Sequence, residues 1–176
     1  MSEETRPKTQ ITDLAGRNVA ANVRRIREAH GWSTYDLARK LKEAGRPISP
    51  SAVAKVEREE RRVDAGDLVA LAVVLNVNPS ALLLPRDDSP STIVDLMPGR
   101  HTDGGEVRMT ADRLWSWADG QGPLFDHPDA AATLQTWRDF IQHARPARRG
   151  LYEMEALLRD FRLKDEEGTA DGPSVD

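Results

Sequence analysis

The sequence predicts a mainly α-helical chain, with a five-helix domain at residues 17–84 followed by a small helical C-terminal region. Apolar side chains recur every three or four residues in most segments, which is the spacing of amphipathic helices. Helix-capping residues precede these segments in the first half, and glycine, proline or asparagine separates them. Hydrophobic residues make up 39% of the chain and charged residues 31%, as in ordinary globular proteins.

The first two predicted helices run from residue 17 to residue 30, and from a cap at Ser33 or Thr34 to Gly45. Gly31 and Gly45 end them, because glycine adopts the left-handed backbone at a helix end at little cost. Helical spacing gives each helix one apolar face for the core. These faces consist of Val19, Val23, Ile26, Leu37, Ala38 and Leu41.

Three shorter helices complete the predicted domain. Ser49 caps the third, so that Pro50 takes the first helical position, where a missing N–H costs nothing. The fourth runs from Asp64 to Leu75, and Asn78 caps the fifth, again with a proline, Pro79, at the first position. The side chains assigned to the core are Val53, Val56, Leu68, Leu71, Ala72, Leu75, Leu82 and Leu83.

The pattern changes after the fifth helix. Residues 85–92 are rich in proline, aspartate and serine and are a predicted linker to a C-terminal region at residues 93–163. That region has a predicted strand at residues 106–109, which would belong to one short hairpin. Residues 1–16 are expected to be a flexible arm, and residues 164–176 a disordered acidic tail. Further helices are predicted to begin at Thr110, at a cap on Asp126 or His127, and near Leu151.

Charge is distributed unevenly along the chain. Residues 17–62 carry twelve basic and six acidic side chains, a net charge of +6, whereas the whole chain has a net charge of −4. A basic segment within an acidic chain is expected where a protein binds a polyanion. The alternative is that these residues only solvate helix surfaces.

Several kinds of site have no support in the sequence. The chain has no cysteine, which excludes disulfides and cysteine-based metal sites. The four histidines lack metal-ligand spacing, and no glycine-rich nucleotide loop or nucleophile motif occurs. We therefore expect no catalytic residue, no metal and no cofactor. No apolar run suits a membrane span or a secretion signal, which favours a cytoplasmic protein.

Five short motifs within residues 23–83 occur in a fixed order and at fixed spacings, and together they are more specific than any one of them. They are Arg24-x-x-Arg27; Gly31-Trp32-Ser33 ahead of Leu37-Ala38; Ser51 to Glu57; Asp67-Leu68 through Leu71-Ala72 and Leu75-x-Val77; and Pro79-x-x-Leu82-Leu83. In these segments the chain resembles the phage repressor/Cro class of helix-turn-helix regulators, also called XRE-type. The resemblance implies a lambda-repressor-like fold and a sequence-specific DNA-binding transcriptional regulator. It also implies a homodimer on an inverted-repeat operator in double-stranded DNA, and hence a nucleoid-associated protein.

The resemblance makes the third helix the recognition helix, which lies in the major groove. Thr34 would then contact a phosphate, and Lys55 would contact either guanine or a phosphate. Arg27 and Glu57 match a pair that joins the first helix to the third, and we expect them to be structural. The expected DNA-binding residues are Ser33, Thr34, Lys42, Arg46, Ser49, Pro50, Ser51, Ala52, Lys55, Arg58, Arg61 and Arg62.

The chain departs from the compact family motif between the second and third helices. Ala38 and Val53 are fifteen positions apart, with the extra residues at 42–47. Either the second helix is a turn longer or the connection is a loop. Both arrangements could add DNA-backbone contacts through Lys42 and Arg46.

Other functions stay open at this point. A protein-interaction module, antitoxin-like or scaffolding, could keep the fold without reading DNA, because Pro50, Ala52 and Ala54 are poorly equipped to read bases. An enzyme with its site in the C-terminal region has no supporting motif. That region would supply dimerisation, a protein-partner surface or a sensor. Its tryptophan-containing helix is interpreted as core, and the apolar seam over residues 151–161 fits either a dimer helix or internal packing.

Overall fold

The computed structural model describes residue 11 and residues 13–100, 106–125 and 129–144, together with residues 155, 156, 158 and 159. In these residues a run of helices is followed by a strand pair and by further helices. The mainly helical fold class predicted from the sequence is therefore confirmed. The helices are α1 (Leu14–Ala29), α2 (Thr34–Glu43), α3 (Pro50–Glu57), α4 (Ala65–Leu75), α5 (Pro79–Leu83), α6 (Ala111–Ala118) and α7 (Ala130–Ala144), and the strands are β1 (Ile93–Arg100) and β2 (Glu106–Thr110).

The core of the helical domain is built from the apolar faces of α1 to α5. The side chains of Leu37, Leu41, Leu75 and Leu82 are fully buried. Almost every residue that the sequence assigned to this core is buried there or packs against it. Burial of a leucine of this kind contributes about 1.5–3 kcal/mol, so the helices are held mainly by this cluster.

Two asparagines of α1 fasten the last helix of this domain to the first. Asn22 is 5% exposed, and its Nδ2 donates to the carbonyl oxygens of Leu82 (3.2 Å) and Leu84 (2.9 Å). One turn earlier, Asn18 Nδ2 donates to the carbonyl of Leu83 at 2.9 Å. These amides satisfy carbonyls at the end of α5, which have no partner within their own helix.

The helix ends follow the capping residues of the sequence. Ser33, Ser49 and Asn78 each accept a backbone N–H from the first turn of the helix they precede. Gly31 and Gly45 have φ values of +69° and +83°. Both glycines therefore occupy the left-handed conformation that ends α1 and α2, as predicted.

The first helix begins earlier than the sequence predicted, and most of the predicted flexible arm at residues 1–16 lies outside the described residues. α1 begins at Leu14, and Asp13 caps it by accepting the N–H of Gly16 at 2.6 Å. Ile11 is only 7% exposed, and its N–H donates to the carbonyl of Glu59 at 3.3 Å. A Cβ on Gly16 would lie 2.3 Å from the Ile11 side chain, so this close approach requires glycine. The prediction missed this because a single isoleucine in a polar stretch has no periodicity.

The strand pair is antiparallel, and its register pairs Val94 with Met109 and Asp95 with Arg108. Val94 and Met109 are buried, whereas the side chains of Asp95 and Arg108 form an exposed ion pair at 2.7 Å. The predicted strand at residues 106–109 is therefore confirmed as β2 of a hairpin.

The chain divides into two compact units, and the division falls after Trp115. The first unit contains α1 to α5 and the strand pair, with β1 packed beside α1. Trp115 belongs to the same unit, and its indole Nε1 donates to the carbonyl of Pro85 at 3.0 Å. The boundary thus differs from the predicted linker at residues 85–92. That composition marks a change from helix to strand within one unit.

In the second unit, α7 begins at Ala130, directly after a capping residue different from the predicted one. The N–H of Ala132 donates to Asp129 Oδ1 at 2.9 Å, so Asp129 takes the role expected for Asp126 or His127. Gly122 lies against the Trp137 ring, where a Cβ would come within 2.7 Å of the indole. The predicted acidic tail, His101, His127 and most of the seam over residues 151–161 lie outside the described residues.

Candidate nucleic-acid interface

The connection between α2 and α3 is a loop of residues 44–49. α2 ends at Glu43, and Gly45 turns the backbone so that the N–H of Arg46 donates to the carbonyl of Leu41 at 2.9 Å. Ile48 anchors the loop, since its side chain is 7% exposed and belongs to the core. Of the two arrangements that the sequence left open, the structure has the loop.

The third helix presents a short polar face. Val53 and Val56 are buried, and Ser51, Lys55 and Arg58, just beyond the helix, are exposed. Residues 50, 52 and 54 are half-buried. The hydroxyl oxygens of Ser49 and Ser51 lie 3.0 Å apart, while Ser49 also caps the helix. The side chains available for readout on α3 are therefore few and short, apart from Lys55.

A bidentate ion pair joins α3 to α1. Arg27 Nε lies 2.6 Å from Glu57 Oε1, and Arg27 Nη2 lies 2.9 Å from Glu57 Oε2. The two side chains are 10% and 7% exposed. The hydrogen bond to Glu57 raises the pKa of Arg27, which also donates to the carbonyl of Trp32 at 2.6 Å. The structure thus brings together the two residues expected to form a structural pair.

A second ion-pair cluster surrounds the start of α4. Asp67 is 3% exposed and accepts hydrogen bonds from Arg46 Nε and Arg61 Nη2, both at 2.8 Å. Arg46 Nη2 also donates to both carboxylate oxygens of Asp64 at 2.9 Å. The hydrogen bond to Asp67 raises the pKa of Arg46. The N–H of Asp67 and the Arg46 guanidinium lower the pKa of Asp64, with the N–H as the larger cause.

Asp67 is a site residue that sequence reasoning missed. In the sequence, Asp67 is only one member of the pattern that predicts the fourth helix. Its one signal is an acidic residue followed by an otherwise apolar helix, Leu68 to Leu75. A carboxylate in that position needs a cationic partner when it is buried, but the sequence does not show which arginine supplies it.

The basic residues differ in whether their charge is already compensated. The Arg58 guanidinium pairs with Glu60, with Nη2 3.1 Å from Oε2, and Arg46 and Arg61 pair with aspartates as described. In the part of the chain that the structure describes, no ion pair involves the three exposed side chains of Lys42, Lys55 and Arg62. These three, together with Lys40 over the Trp32 ring, carry positive charge beside α2 and α3 that no described ion pair compensates.

Two features of α2 complete the region. Tyr35, in its first turn, is 74% exposed, and sequence reasoning passed over it. A phenol at a helix N-terminus can donate to a phosphate, as can the half-buried hydroxyl of Thr34. Lys40 instead places its Nζ 4.5 Å from the centroid of the Trp32 ring, which also stacks on His30 with centroids 4.3 Å apart.

The described residues contain no group of three or more potential ligands, among histidine, cysteine and acidic side chains, arranged to hold a metal ion. Among the helices described, none is both long enough and apolar enough to span a membrane.

Comparison with known proteins identifies the helical domain. The model of the helix-turn-helix family matches residues 23–82. The crystal structure of the hypothetical transcription factor NHTF from Neisseria is similar at 27% sequence identity, over 45% of this chain and 91% of that one, with a TM-score of 0.37. No curated protein matches the chain. The family match thus supports a helix-turn-helix domain of the XRE type at residues 23–82.

Proposed function

We propose that the chain is a sequence-specific DNA-binding transcriptional regulator of the phage repressor/Cro kind. It binds an inverted-repeat operator as a homodimer. This proposal rests on α3, which the buried Arg27–Glu57 pair joins to α1 and which exposes Ser51 and Lys55 on its outer side. A helix of this kind enters the major groove with its first residues at the base edges.

The positions of the charged side chains suit some of them to base contacts and others to phosphate contacts. Lys55 lies on the exposed face of α3, where it can donate to guanine O6 or N7. Lys42 and Arg62 lie outside α3 and are free of ion pairs within the described residues. We assign them to phosphates, together with the hydroxyls of Thr34 and Tyr35, because such contacts position the protein without reading sequence.

A protein-interaction module on the same fold is the second candidate. It is favoured by Pro50, Ala52 and Ala54, because proline and alanine side chains have no hydrogen-bond donor or acceptor and so leave few polar groups on α3. An enzyme is not favoured by any observation on the described residues. The C-terminal region would serve dimerisation, a protein partner or a sensor.

The test is selection of bound sequences from a random DNA duplex library by the full chain. We expect an inverted repeat to be enriched. Lys55→Ala should relax the preference at one base pair of each half-site, by about 1–3 kcal/mol. Arg62→Ala should weaken binding to all sequences and reduce the slope of log K against log salt by about 0.9.

Lys40→Ala is the matched control, because it removes the same charge as Lys55→Ala but from a lysine held over Trp32. It should change neither the base preference nor the salt slope. If no sequence is enriched and the weak binding that remains vanishes near physiological salt, the chain is not an operator-binding protein. The protein-interaction function would then be favoured.

A further inference from the structure

A single buried carboxylate ties together the segments that flank the recognition helix. Arg46 lies four residues before Pro50, the first residue of α3, and Arg61 lies four residues after Glu57, the last. Both guanidinium groups donate to Asp67 at 2.8 Å. Because Asp67 is 3% exposed, this carboxylate depends on its two partners. The position of both ends of α3 is therefore coupled to one residue of α4.

The two arginines are not equivalent. Arg46 donates through Nε to Asp67 and through Nη2 to both oxygens of Asp64. Its guanidinium also lies over Gly66, where a Cβ would come within 3.1 Å of Nη2. Two carboxylates thus compensate the charge of Arg46. These contacts suit Arg46 to holding the loop of residues 44–49 against the start of α4.

Arg61 has N–H groups that the Asp67 hydrogen bond does not use. Within the described residues it makes one hydrogen bond, from Nη2 to Asp67, and its side chain is 37% exposed. Its Nε and Nη1 groups carry further N–H donors. A guanidinium already fixed by a carboxylate loses little conformational entropy when it binds a second anion. Arg61 is therefore suited to donate to a phosphate in a fixed direction.

We propose that Asp67 is a positioning residue for DNA readout, which orients α3 through Arg46 and presents Arg61 to the DNA backbone. This inference rests on the proposed function and assigns the cluster a part in it. Removing the Asp67 charge has two opposite consequences. It frees Arg61, leaves Arg46 held only by Asp64 and adds one positive charge, so nonspecific attraction to phosphate rises while the orientation of α3 is loosened.

The experiment compares the affinity of Asp67→Asn for the selected operator and for a scrambled duplex of equal length and composition, over a salt series. We expect the ratio of the two affinities to fall about tenfold or more, which corresponds to the loss of one good base contact. Affinity for the scrambled duplex should be unchanged or higher. Asp95→Asn, which makes the same charge change at the exposed Arg108 ion pair, is the control and should leave the ratio unchanged.

Two further variants address the arginines separately and do not depend on the folding of Asp67→Asn. Arg61→Gln should reduce the salt slope on both duplexes by about 0.9, because one phosphate contact is lost. Arg46→Gln should reduce the affinity ratio and leave the slope unchanged. Circular dichroism and thermal unfolding establish that each variant is folded.

The possible outcomes separate this inference from the proposed function. If wild type discriminates between the duplexes and Asp67→Asn loses the same factor on both, Asp67 only stabilises the fold. If Arg61→Gln keeps the wild-type slope, Arg61 is not a phosphate donor. A wild-type chain without discrimination would overturn the proposed function, and this inference with it.

Discussion

Arg27 and Glu57 show how a single pair holds one helix on another. The pair is bidentate and largely buried, and Arg27 reaches the carbonyl of Trp32 as well. The family resemblance predicted this partnership from two residues thirty positions apart. It did not predict the Asp67 cluster, because an arginine's partner is set by the path of a loop. The path of residues 44–49 departs from the compact motif.

We predict that Glu57→Ala lowers the free energy of unfolding by about 3–5 kcal/mol, because it leaves the buried Arg27 guanidinium without its carboxylate. Urea denaturation measures this change. Arg24→Ala is the control, since it removes an exposed pair with Glu28 and should cost about 0.5 kcal/mol or less. The double variant Arg27→Met with Glu57→Leu should recover most of the loss. Equal losses in Glu57→Ala and Arg24→Ala would show that the buried pair has no special weight.

At the scale of the element, the sequence predicted where helices begin and end better than what lies between them. Ser33, Ser49 and Asn78 are caps in the structure because a hydroxyl or amide oxygen there meets a free N–H of the first turn. These signals are local. The loop of residues 44–49 is set by long-range contacts of Arg46 and Ile48, which a local pattern does not contain.

The capping box of α2 gives a pH-dependent prediction. The Ser33 hydroxyl and N–H donate to Asp36 and lower its pKa below the ordinary value of 3.8. Since the folded-state pKa is the lower one, this interaction stabilises the fold above about pH 4 and is lost as the pH falls through the depressed pKa. Ser33→Ala should therefore be destabilised at neutral pH, by about 1 kcal/mol for loss of the cap.

The difference in free energy of unfolding between Ser33→Ala and wild type should become smaller at acidic pH. Urea denaturation at a series of pH values from neutral to acidic measures it. Ser51→Ala, which removes an exposed hydroxyl that caps no helix, should stay within about 0.5 kcal/mol of wild type throughout. A difference for Ser33→Ala that is constant down to the lowest pH would exclude a role for the Asp36 charge.

On the scale of the whole molecule, composition was a weaker guide than periodicity. Residues 85–92 were predicted to separate two regions, whereas the strand pair after them belongs to the same compact unit as α1 to α5. Composition reports a break in the helical pattern but not what the next segment packs against. The hydrogen bond from Trp115 to Pro85 and the packing of β1 beside α1 hold this unit together.

We predict that Trp115→Phe lowers the free energy of unfolding by about 1 kcal/mol, because the Pro85 carbonyl loses its donor. The helices and the hairpin should be destabilised together. Thermal unfolding followed both by circular dichroism and by hydrogen exchange of the strand amides measures the two parts. Trp117→Phe, at a side chain 38% exposed, is the control and should have little effect. A hairpin that opens while the helices keep wild-type stability would show that the two fold separately.

The hydrogen bonds from Asn18 and Asn22 to the end of α5 also bear on the order in which the domain folds during synthesis. On the ribosome, α1 is synthesised long before the carbonyls that it must bind, since Asn22 and Leu82 are 60 residues apart. Until residue 84 has emerged, the Asn22 amide lacks its two acceptors, and the side of α1 that α5 covers in the complete domain stays open to water. The nascent domain is therefore expected to close in one late step, after α5 is complete.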